Sequence, residues 1–361
     1  MRSLHTESST GWGGQENRTM NELISMRERG HEMAVLSRPG ARILERAKEA
    51  GIQTFAVDMR GVLDFPGILQ LRSVMKEFHP DVVNTHSGRD TQLAGMAAHT
   101  LSGRPLIVRT RHLALPISST FSYSVLPDHV VTVSKYVESY LIEAGVPGKQ
   151  VSTVATGVDF SRYDRSTVQG NLREELGLAA DSLLIGTVAI LRAKKGHAEI
   201  LDAAPEVLKR FPNAHFVFAG DGPQTENLKA RIVADGLTGH VHMLGLRRDV
   251  TNVLASLDIF VLPTHQEALG TAFIEAAAMG IPAVASNVDG VPEVVLDGQT
   301  GLLVPAQDGN ALIEPICRLL GDPIFRQSMG ANATEFVRRK FSREVMAHGM
   351  ERLYQRLQEA R

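Results

Sequence analysis

Short runs of β-forming residues alternate with helical stretches along most of this chain, and this alternation restricts its fold more than any other feature. Parallel strands need a crossover of a dozen or more residues, normally a helix, so the pattern predicts parallel sheets with helices on both faces. In the first half the predicted strands are residues 2–8, 31–37, 53–57, 81–85, 106–110, 129–133 and 150–155.

A second series of strands begins after a polar stretch, residues 161–181, that has the character of a linker. A chain of 361 residues exceeds the size at which one core keeps growing, so we expect two Rossmann-like α/β domains, residues 1–160 and 161–340. Residues 341–361 predict a last amphipathic helix, which we expect to cross back onto the first domain. The strands predicted for the second domain are residues 183–191, 215–219, 241–245, 259–263, 283–286 and 301–305. Ligands of such sheets bind beyond the carboxyl ends of the strands, so we expect the site in a crevice between the domains.

The composition excludes several functional classes. Hydrophobic residues make up 43% of the chain and charged residues 22%, and the formal net charge of −2 gives no electrostatic basis for binding nucleic acid. The single cysteine, Cys317, can form neither an internal disulfide nor a cysteine zinc cluster, which favours a reducing, cytoplasmic setting. No stretch of about 18 apolar residues and no visible export signal occurs, so we expect no membrane span.

A glycine-rich turn, Gly11-Trp12-Gly13-Gly14-Gln15-Glu16, follows the first predicted strand and opens the first helix. Glycines at such a place let a phosphate approach the backbone amides. A dinucleotide fingerprint requires a third glycine where this chain has Glu16, and the next strand lacks the acid that holds an NAD ribose. A nicotinamide cofactor is therefore disfavoured, although Arg38 could suit a 2′-phosphate. The turn either binds a phosphate group or only joins a strand to a helix.

Two glutamates eight residues apart, Glu267 and Glu275, follow the predicted strand 259–263. Glu267 lies on the loop before Gly270, and Glu275 lies in the early turns of the helix predicted for residues 271–279. Both can face a ligand at the positive end of that helix, where an anionic group is favoured. On the pair alone, the alternative is two ordinary surface glutamates.

Five segments in a fixed order connect this chain to a known family. They are Gly13-Gly14-x-Glu16, residues 218–223 (Phe-Ala-Gly-Asp-Gly-Pro), the glutamate pair, residues 288–293 (Val-Asp-Gly-Val-Pro-Glu) and residues 297–304 (Asp-Gly-Gln-Thr-Gly-Leu-Leu-Val). Together they resemble the retaining GT-B glycosyltransferases of family 4. The resemblance spans nearly the whole chain and is most specific between residues 183 and 305. It implies two Rossmann-like domains facing a central cleft and transfer of a sugar from a nucleotide diphosphate donor.

The resemblance also implies roles for individual charged residues. In the family the second glutamate holds the nucleotide ribose and the first contacts the transferred sugar, which assigns these roles to Glu275 and Glu267. A carboxylate suits both, because it accepts two hydrogen bonds from a diol and stabilises an oxocarbenium-like transition state. The family neutralises the diphosphate with arginine and lysine, here Arg192 and Lys195, although Arg192 stands two positions later than the family arginine. We therefore expect no divalent metal and no cofactor.

The remaining donor-binding assignments follow the same resemblance. Arg248 lies where the family holds the nucleobase, largely through the backbone. Leu269 takes the place of a common aromatic residue, and the amides near Gly270 and Thr271 lie beside the leaving phosphate. Two more departures from the family pattern, Asp289-Gly290 for Gly-Gly and Thr156 for asparagine, bear on donor specificity.

Residues of the first domain complete the predicted site. The resemblance places the amides of Gly13 and Gly14 near the donor phosphates. His112 matches a histidine that family members turn toward the donor sugar, and His86 ends the neighbouring strand. Histidines in a crevice at strand ends are functional more often than elsewhere, which favours a functional role for His112, whereas a structural role is favoured for His86.

The sequence is compatible with one leading function and two alternatives. The predicted activity is retaining transfer to a saccharide or lipid-linked saccharide acceptor, in envelope polysaccharide or lipopolysaccharide biosynthesis, with a peripheral contact at the cytoplasmic face of the inner membrane. A sugar-nucleotide 2-epimerase shares the two-domain architecture, and fold alone does not separate the two enzymes. A silent sugar-nucleotide sensor is a third interpretation, against which the intact glutamates and Lys195 argue.

Overall fold

The chain divides into two compact units in the computed structural model, which describes residues 1–117 and 119–361. Unit 1 comprises Met1–Val158 together with Phe341–Arg361, and unit 2 comprises Asp159–Lys340. Each unit contains one sheet whose paired strands are all parallel, seven strands in unit 1 and six in unit 2. The predicted fold class, two doubly wound parallel α/β domains, is confirmed.

Unit 1 has the strand order β3-β2-β1-β4-β5-β6-β7, in which the direction of winding reverses between β1 and β4. Its strands are β1 (Arg2–Glu7), β2 (Glu32–Ser37), β3 (Gln53–Ala56), β4 (Val82–Thr85), β5 (Leu106–Arg111), β6 (His129–Thr132) and β7 (Val151–Thr153). Its helices are α1 (Gly14–Glu28), α2 (Arg42–Glu49), α3 (Phe65–Phe78), α4 (Gly88–His99), α5 (Phe121–Ser124), α6 (Lys135–Glu143) and, from the end of the chain, α14 (Arg343–Glu359).

The unit 1 sheet is covered by helices on both faces, because successive residues of its strands point in opposite directions. Val35 of β2 and Val108 of β5 lie in a core formed with α1, α2 and α14. Their neighbours Leu36 and Ile107 lie in a second core, formed with α3 and α4. Strands buried on both faces have near-continuous apolar runs, as these do.

The last helix, α14, is an integral part of unit 1. Ser342 caps its start by accepting a hydrogen bond from the backbone N–H of Val345, and Met346, Met350 and Tyr354 are buried in the core shared with α1 and α2. Tyr354 is fully buried, and its hydroxyl meets the side chains of α1 and β4. The amphipathic helix predicted within residues 341–361 therefore has most of its apolar face covered within unit 1, although Val345 is 46% exposed.

Unit 2 has the strand order β10-β9-β8-β11-β12-β13, and here the winding reverses between β8 and β11. Its strands are β8 (Leu183–Val188), β9 (Ala214–Ala219), β10 (Val241–Gly245), β11 (Ile259–Leu262), β12 (Ala283–Ser286) and β13 (Gly301–Val304). Its helices are α7 (Leu172–Glu175), α8 (His197–Arg210), α9 (Thr225–Ala234), α10 (Val250–Ser256), α11 (Thr271–Ala278), α12 (Ile313–Gly321) and α13 (Pro323–Lys340).

The two faces of the unit 2 sheet are also both buried. Ile259 and Val261 of β11 belong to a core formed with α8, α9 and α12. Phe260, between them, packs edge-on against Phe273 of α11 with the ring centroids 5.6 Å apart. Because β8 and β11 are neighbours, the loops that follow them lie side by side at one edge of the sheet.

The polar stretch 161–181 is an ordered part of unit 2, so its interpretation as a linker is wrong. A Cβ on Gly170 would lie 2.4 Å from the backbone nitrogen of Ser256, which shows how closely this segment approaches α10. Leu172 is fully buried, and Arg173 donates to the carbonyl oxygens of Ser182 and Ser256. Polar composition hid these contacts because most of them are made by side-chain donors to backbone carbonyls.

Within the residues that the structure describes, no helix has both the length and the apolar character needed to cross a membrane.

Candidate functional site

Lys195 and Glu267 meet at the edge of the unit 2 sheet. Lys195 ends a 3₁₀ turn after β8, and Glu267 lies on the loop after β11. The Lys195 Nζ atom is 2.5 Å from the Glu267 Oε2 atom, and the two side chains are 16% and 20% exposed. The ion pair is thus open enough for a ligand to reach both charges.

The turn that carries Lys195 is fixed to the loop after β11 by a glycine. Gly196 has a φ of 75°, and a Cβ there would lie 2.1 Å from the carbonyl oxygen of Pro263. The carbonyl oxygen of Lys194 accepts a hydrogen bond of 2.8 Å from the backbone N–H of His265. Only glycine permits this approach, which sets the position of Lys195 relative to the neighbouring loop.

Asp289 holds the backbone of Glu267. It has a φ of 49°, in the left-handed region where the family commonly has glycine, and its Oδ2 accepts a 2.9 Å hydrogen bond from the Glu267 N–H. Gly290, next to it, donates its N–H to the Glu267 carbonyl oxygen at 3.1 Å. The departure from Gly-Gly thus gives Glu267 an additional backbone contact.

Glu275 lies on α11, partly buried, and accepts a hydrogen bond from the hydroxyl of Tyr163. Burial raises the pKa of Glu275 to about 7, although the Tyr163 hydrogen bond opposes that rise. Tyr163, at 6% exposure, was missed by the sequence analysis because it lies in the stretch interpreted as a linker. A tyrosine and a phenylalanine within four residues, in an otherwise polar stretch, were the signal that could have revealed it.

The start of α11 is set by two adjacent residues with opposite environments. Gly270, at its N-cap, has a φ of 91°, and a Cβ there would lie 2.5 Å from the Phe273 ring. Leu269, which replaces the family aromatic residue, is 3% exposed, so its side chain lies inside unit 2. Thr271 is the first residue of α11 and is partly exposed, which leaves the helix N-terminus accessible beside Glu267.

Across residues 1–117 and 119–361, two arginines predicted for the donor site do not bind Lys195, Glu267 or Glu275 through their side chains. Arg192 and Arg248 are both exposed, after β8 and after β10, and neither side chain has a hydrogen bond or an ion pair in the described part of the chain. The neighbouring Arg247 is instead the engaged residue, since it binds Glu175 and Asp249. Exposed guanidinium groups at this sheet edge suit the oxygens of a phosphate.

In unit 1 the glycine-rich turn leads directly into α1. Gly13 is the N-cap residue, and its N–H donates to the Glu16 Oε2 atom at 2.8 Å. Glu16 therefore replaces the third glycine of a dinucleotide fingerprint with a helix cap. Gly13 and Gly14 are exposed, and a Cβ on Gly14 would meet nothing within 4 Å, so the space above this turn is open.

Two buried carboxylates lie beneath the turn, and no motif in the sequence predicts either of them. Glu7, at the end of β1, accepts hydrogen bonds from the Ser9 N–H and the Gln15 side chain. Asp90 accepts from the His86 N–H at 2.7 Å. Burial raises the pKa of Glu7 to about 8, with a further contribution from the Asp90 charge. The protonated form of Glu7 is therefore favoured more strongly than in a freely exposed glutamate.

His112 and His86 are brought together, and a third histidine joins them. The Nε2 atom of His112 is 3.0 Å from the Nδ1 atom of His86, whose Nε2 atom is 3.0 Å from the Nδ1 atom of His5. His5 lies in β1, and His86 and His112 directly follow β4 and β5, the next two strands of the sheet. Burial lowers the pKa of each ring, so all three are neutral at pH 7.

Known families match both halves of this chain. A model of the glycosyl transferases group 1 matches residues 168–336, and a model of glycosyltransferase family 4 matches residues 12–162. Together the two matches span nearly the whole chain, and they divide it close to the limit between unit 1 and unit 2.

Curated relatives align over most of the chain. An Escherichia coli UDP-Gal:alpha-D-GlcNAc-diphosphoundecaprenol alpha-1,3-galactosyltransferase is 27% identical over 296 residues, which cover 76% of this chain and 75% of that protein. A lipopolysaccharide core biosynthesis glycosyltransferase of Rhizobium meliloti is 26% identical over 360 residues, which cover 99% and 98% of the two chains.

Solved structures share the fold over the full length. A glycosyltransferase from Rickettsia africae superimposes with a TM-score of 0.88 at 20% identity, covering 99% of this chain and 98% of that one. Anabaena HepE, solved with UDP and glucose, superimposes with a TM-score of 0.84 at 20% identity, covering 98% and 99%.

Proposed function

We propose that this chain, which belongs to the glycosyltransferases of group 1 and family 4, transfers a sugar from a nucleotide diphosphate donor. The proposed acceptor is a saccharide or a lipid-linked saccharide. The chain is a glycosyltransferase with the mechanism of its family, which retains the anomeric configuration. The observation that carries the assignment of the donor site is the Lys195–Glu267 ion pair of 2.5 Å beside the N-terminus of α11. When a sugar diphosphate binds, the lysine of such a pair can contact the phosphates and the carboxylate can contact the sugar.

Each charged group of unit 2 has a proposed partner on the donor. Lys195 binds the diphosphate oxygens, which compete with Glu267 for its ammonium group. Glu267, thus released, faces the anomeric carbon, where a carboxylate stabilises developing positive charge. Glu275, held by Tyr163, accepts hydrogen bonds from the ribose diol. Arg192, exposed and unpaired within the described residues, adds a second cation for the phosphates.

The other proposed donor contacts come from the backbone and from unit 1. The amides at Gly270 and Thr271 lie at the positive end of α11 and suit the leaving phosphate, as do the exposed amides of Gly13 and Gly14. The backbone near Arg248 binds the base. The buried side chain of Leu269 packs beneath the donor site. His112 faces the donor sugar.

The proposed reaction is a front-face displacement. The departing phosphate accepts the proton of the acceptor hydroxyl while the acceptor oxygen bonds to the anomeric carbon on the same face. Lys195 and Arg192 hold the negative charge that develops on the diphosphate, so the chemistry needs no divalent metal.

A donor screen tests this function directly. Purified protein is incubated with a panel of UDP-, GDP- and ADP-sugars, and the true donor raises the melting temperature by mass action. With that donor we expect slow hydrolysis to the nucleoside diphosphate, faster release with an acceptor, and unchanged rates in EDTA. Strict dependence on magnesium or manganese would contradict the metal-free mechanism, and an epimerised donor or binding without turnover would contradict transfer.

We also propose that the acceptor lies at a membrane, at its cytoplasmic face, in the synthesis of envelope polysaccharide or lipopolysaccharide. Leu63, just before α3, is 68% exposed, and Phe65 and Leu69, in its first two turns, are 69% and 64% exposed. Phe65, Leu69, Arg72 and Lys76 follow one another at helical spacing along one side of this helix. Large apolar side chains beside cations suit a surface of anionic phospholipid.

Vesicle flotation tests this contact. Replacing Phe65 and Leu69 together by serine is expected to reduce binding to vesicles containing anionic phospholipid by about tenfold, because two inserted side chains are lost. The matched control is Ile324→Ser, an 81% exposed apolar residue of unit 2, which should bind as the unchanged protein does. Equal loss in both variants, or no vesicle binding by the unchanged protein, would contradict the proposal.

A further inference from the structure

The three histidines of unit 1 continue into a buried charged group. His5 lies fully buried in β1, and its Nε2 atom is 3.7 Å from the Glu22 Oε1 atom of α1. Glu22 is also fully buried, and its second oxygen accepts a 3.0 Å hydrogen bond from Arg18. A row of rings thus connects His112, which is partly exposed, to an ion pair inside the core.

The surrounding side chains hold Glu22 in place. Its Oε1 atom accepts hydrogen bonds from Tyr354 at 3.1 Å and from Asn84 at 3.3 Å, in addition to the Arg18 contact on Oε2. A carboxylate with three donors has its charge compensated. Glu22 is therefore a fixed negative end for the row of rings.

The charge of this carboxylate, which is 3.7 Å from the His5 Nε2 atom and not hydrogen-bonded to it, favours one arrangement of protons on the three rings. A neutral imidazole has one N–H and one lone pair, and the His5 Nε2 atom faces a carboxylate, which favours the N–H there. The His5 Nδ1 atom then carries a lone pair and must accept a hydrogen bond from the Nε2–H group of His86. The His86 Nδ1 atom in turn accepts from His112 Nε2–H. The remaining nitrogen of His112, Nδ1, then carries no proton and has a free lone pair.

The alternative arrangement is disfavoured at its buried end. If every ring carried its proton on Nδ1, the lone pair of His5 Nε2 would face the Glu22 carboxylate at 3.7 Å in the core. The Thr19 hydroxyl donates to the Gln15 carbonyl oxygen, and its oxygen is 3.4 Å from His86 Nδ1, longer than the 3.0 Å His86–His112 contact. Thr19 therefore competes only weakly for that nitrogen.

We propose that His86, His5 and Glu22 are positioning residues that hold His112 as the neutral Nε2–H tautomer, so that its Nδ1 lone pair accepts a hydrogen bond from a hydroxyl of the donor sugar. The assignment rests on the proposed function of His112. Partners of metal-bound histidines fix the tautomer and orientation of the ring, and their loss typically costs roughly 10- to 100-fold; we expect a loss of that order here.

The test begins with the unaltered full chain. Ring ¹⁵N and ¹H NMR of the histidine-labelled protein reports which nitrogen of each ring is protonated, and the His112 signals are identified by their loss in His112→Gln. We expect protonated Nε2 and bare Nδ1 for His112 at neutral pH. A proton on His112 Nδ1 would overturn the proposal without any activity measurement.

Substitution at His5 separates positioning from stability. In His5→Leu the His86 ring loses its acceptor, so we expect His112 to change to the Nδ1–H tautomer and turnover to fall roughly 10- to 100-fold, with the nucleoside diphosphate affinity unchanged. His5→Gln, whose amide can accept from His86 and donate toward Glu22, should restore the tautomer and most of the turnover. The control is His129→Leu, a buried histidine of β6 that bonds only Ser152 in the described chain, which should change neither.

The two readouts keep the possible failures apart. Unchanged turnover and tautomer in a folded His5→Leu protein would overturn the positioning role, as would equal losses in His129→Leu. If no donor supports transfer, the NMR result still decides the tautomer, and only the proposed function fails. If His5→Leu does not fold, the tautomer of the unaltered protein remains the deciding measurement.

Discussion

Glutamine at position 267 will lower the turnover of sugar transfer by about 100-fold or more while nucleoside diphosphate affinity stays the same or rises slightly. The loss is expected because a carboxylate beside the anomeric carbon stabilises charge that exists only in the transition state, an effect of about 10²- to 10³-fold when one such group is removed. Affinity does not fall, because Glu267→Gln also removes the ion-pair partner of Lys195, which then binds phosphate without competition. Steady-state kinetics and calorimetry with the nucleoside diphosphate measure the two quantities.

Glu275→Gln is the matched control for that variant, since it changes the other glutamate of the pair in the same way. It should weaken the nucleoside diphosphate and the donor together, because the ribose is common to both and a hydrogen bond to a charged group contributes about 1.5 to 3 kcal/mol. Equal losses of turnover and affinity in both variants would show that the two glutamates do not have separate roles.

A chain that ends at Lys340 will fail to form a stable unit 1. It lacks α14, which buries Met346, Met350, Leu353 and Tyr354 at 5% exposure or less. At about 1.5 to 3 kcal/mol for each large side chain, the lost burial is about 6 to 12 kcal/mol, an upper estimate comparable to the whole stability of a domain. Removing Tyr354 also takes one hydrogen-bond donor from Glu22. Limited proteolysis should digest unit 1, and the exposed core should make the protein poorly soluble.

The control for that truncation ends at Leu357 and removes only exposed residues, so it should melt at the temperature of the full chain to within a few degrees. A chain ending at Lys340 that keeps a protease-resistant unit 1 and full transferase activity would show that α14 is dispensable.

The regular part of the fold was predictable because parallel strands carry a strong local signal. All thirteen predicted strands are present, and the helix predicted for residues 271–279 is α11, Thr271–Ala278. The largest error at a strand end is in β8, predicted to residue 191, which ends at Val188. The apolar run continues there because Leu191 is buried outside the ladder, where its N–H donates to the Asp221 carbonyl oxygen.

The candidate site was predictable only where it follows a local motif. Glu267, Glu275 and Lys195 each lie next to a glycine or a helix start that the sequence shows, and the structure places Lys195 against Glu267. Tyr163 was not found in this way, and Asp289 was singled out only as a departure from the family pattern, without its contact to Glu267. Each acts through one contact with a residue about 20 to more than 100 positions away, and only the three-dimensional fold brings such pairs together.

The same limit applies to the histidines. His112 and His86 were predicted as candidates because each follows the end of a strand. His5 lies inside β1, and no feature of the strand sequence distinguishes it from its neighbours. The row of three rings depends on the register of β1, β4 and β5, which the sequence does not specify.

The position of α14 in unit 1 also has a consequence for the order in which the protein can form during synthesis. Unit 2 is one continuous segment, Asp159–Lys340, whereas unit 1 needs Phe341–Arg361 to close its core. A ribosome releases the chain from the N-terminus at about 5 to 20 residues per second, so the first 158 residues wait for the whole of unit 2 to be made. During that interval the apolar surfaces of α1 and α2 that α14 covers are open to chaperones and to other nascent chains. The unit translated first is thus the unit completed last.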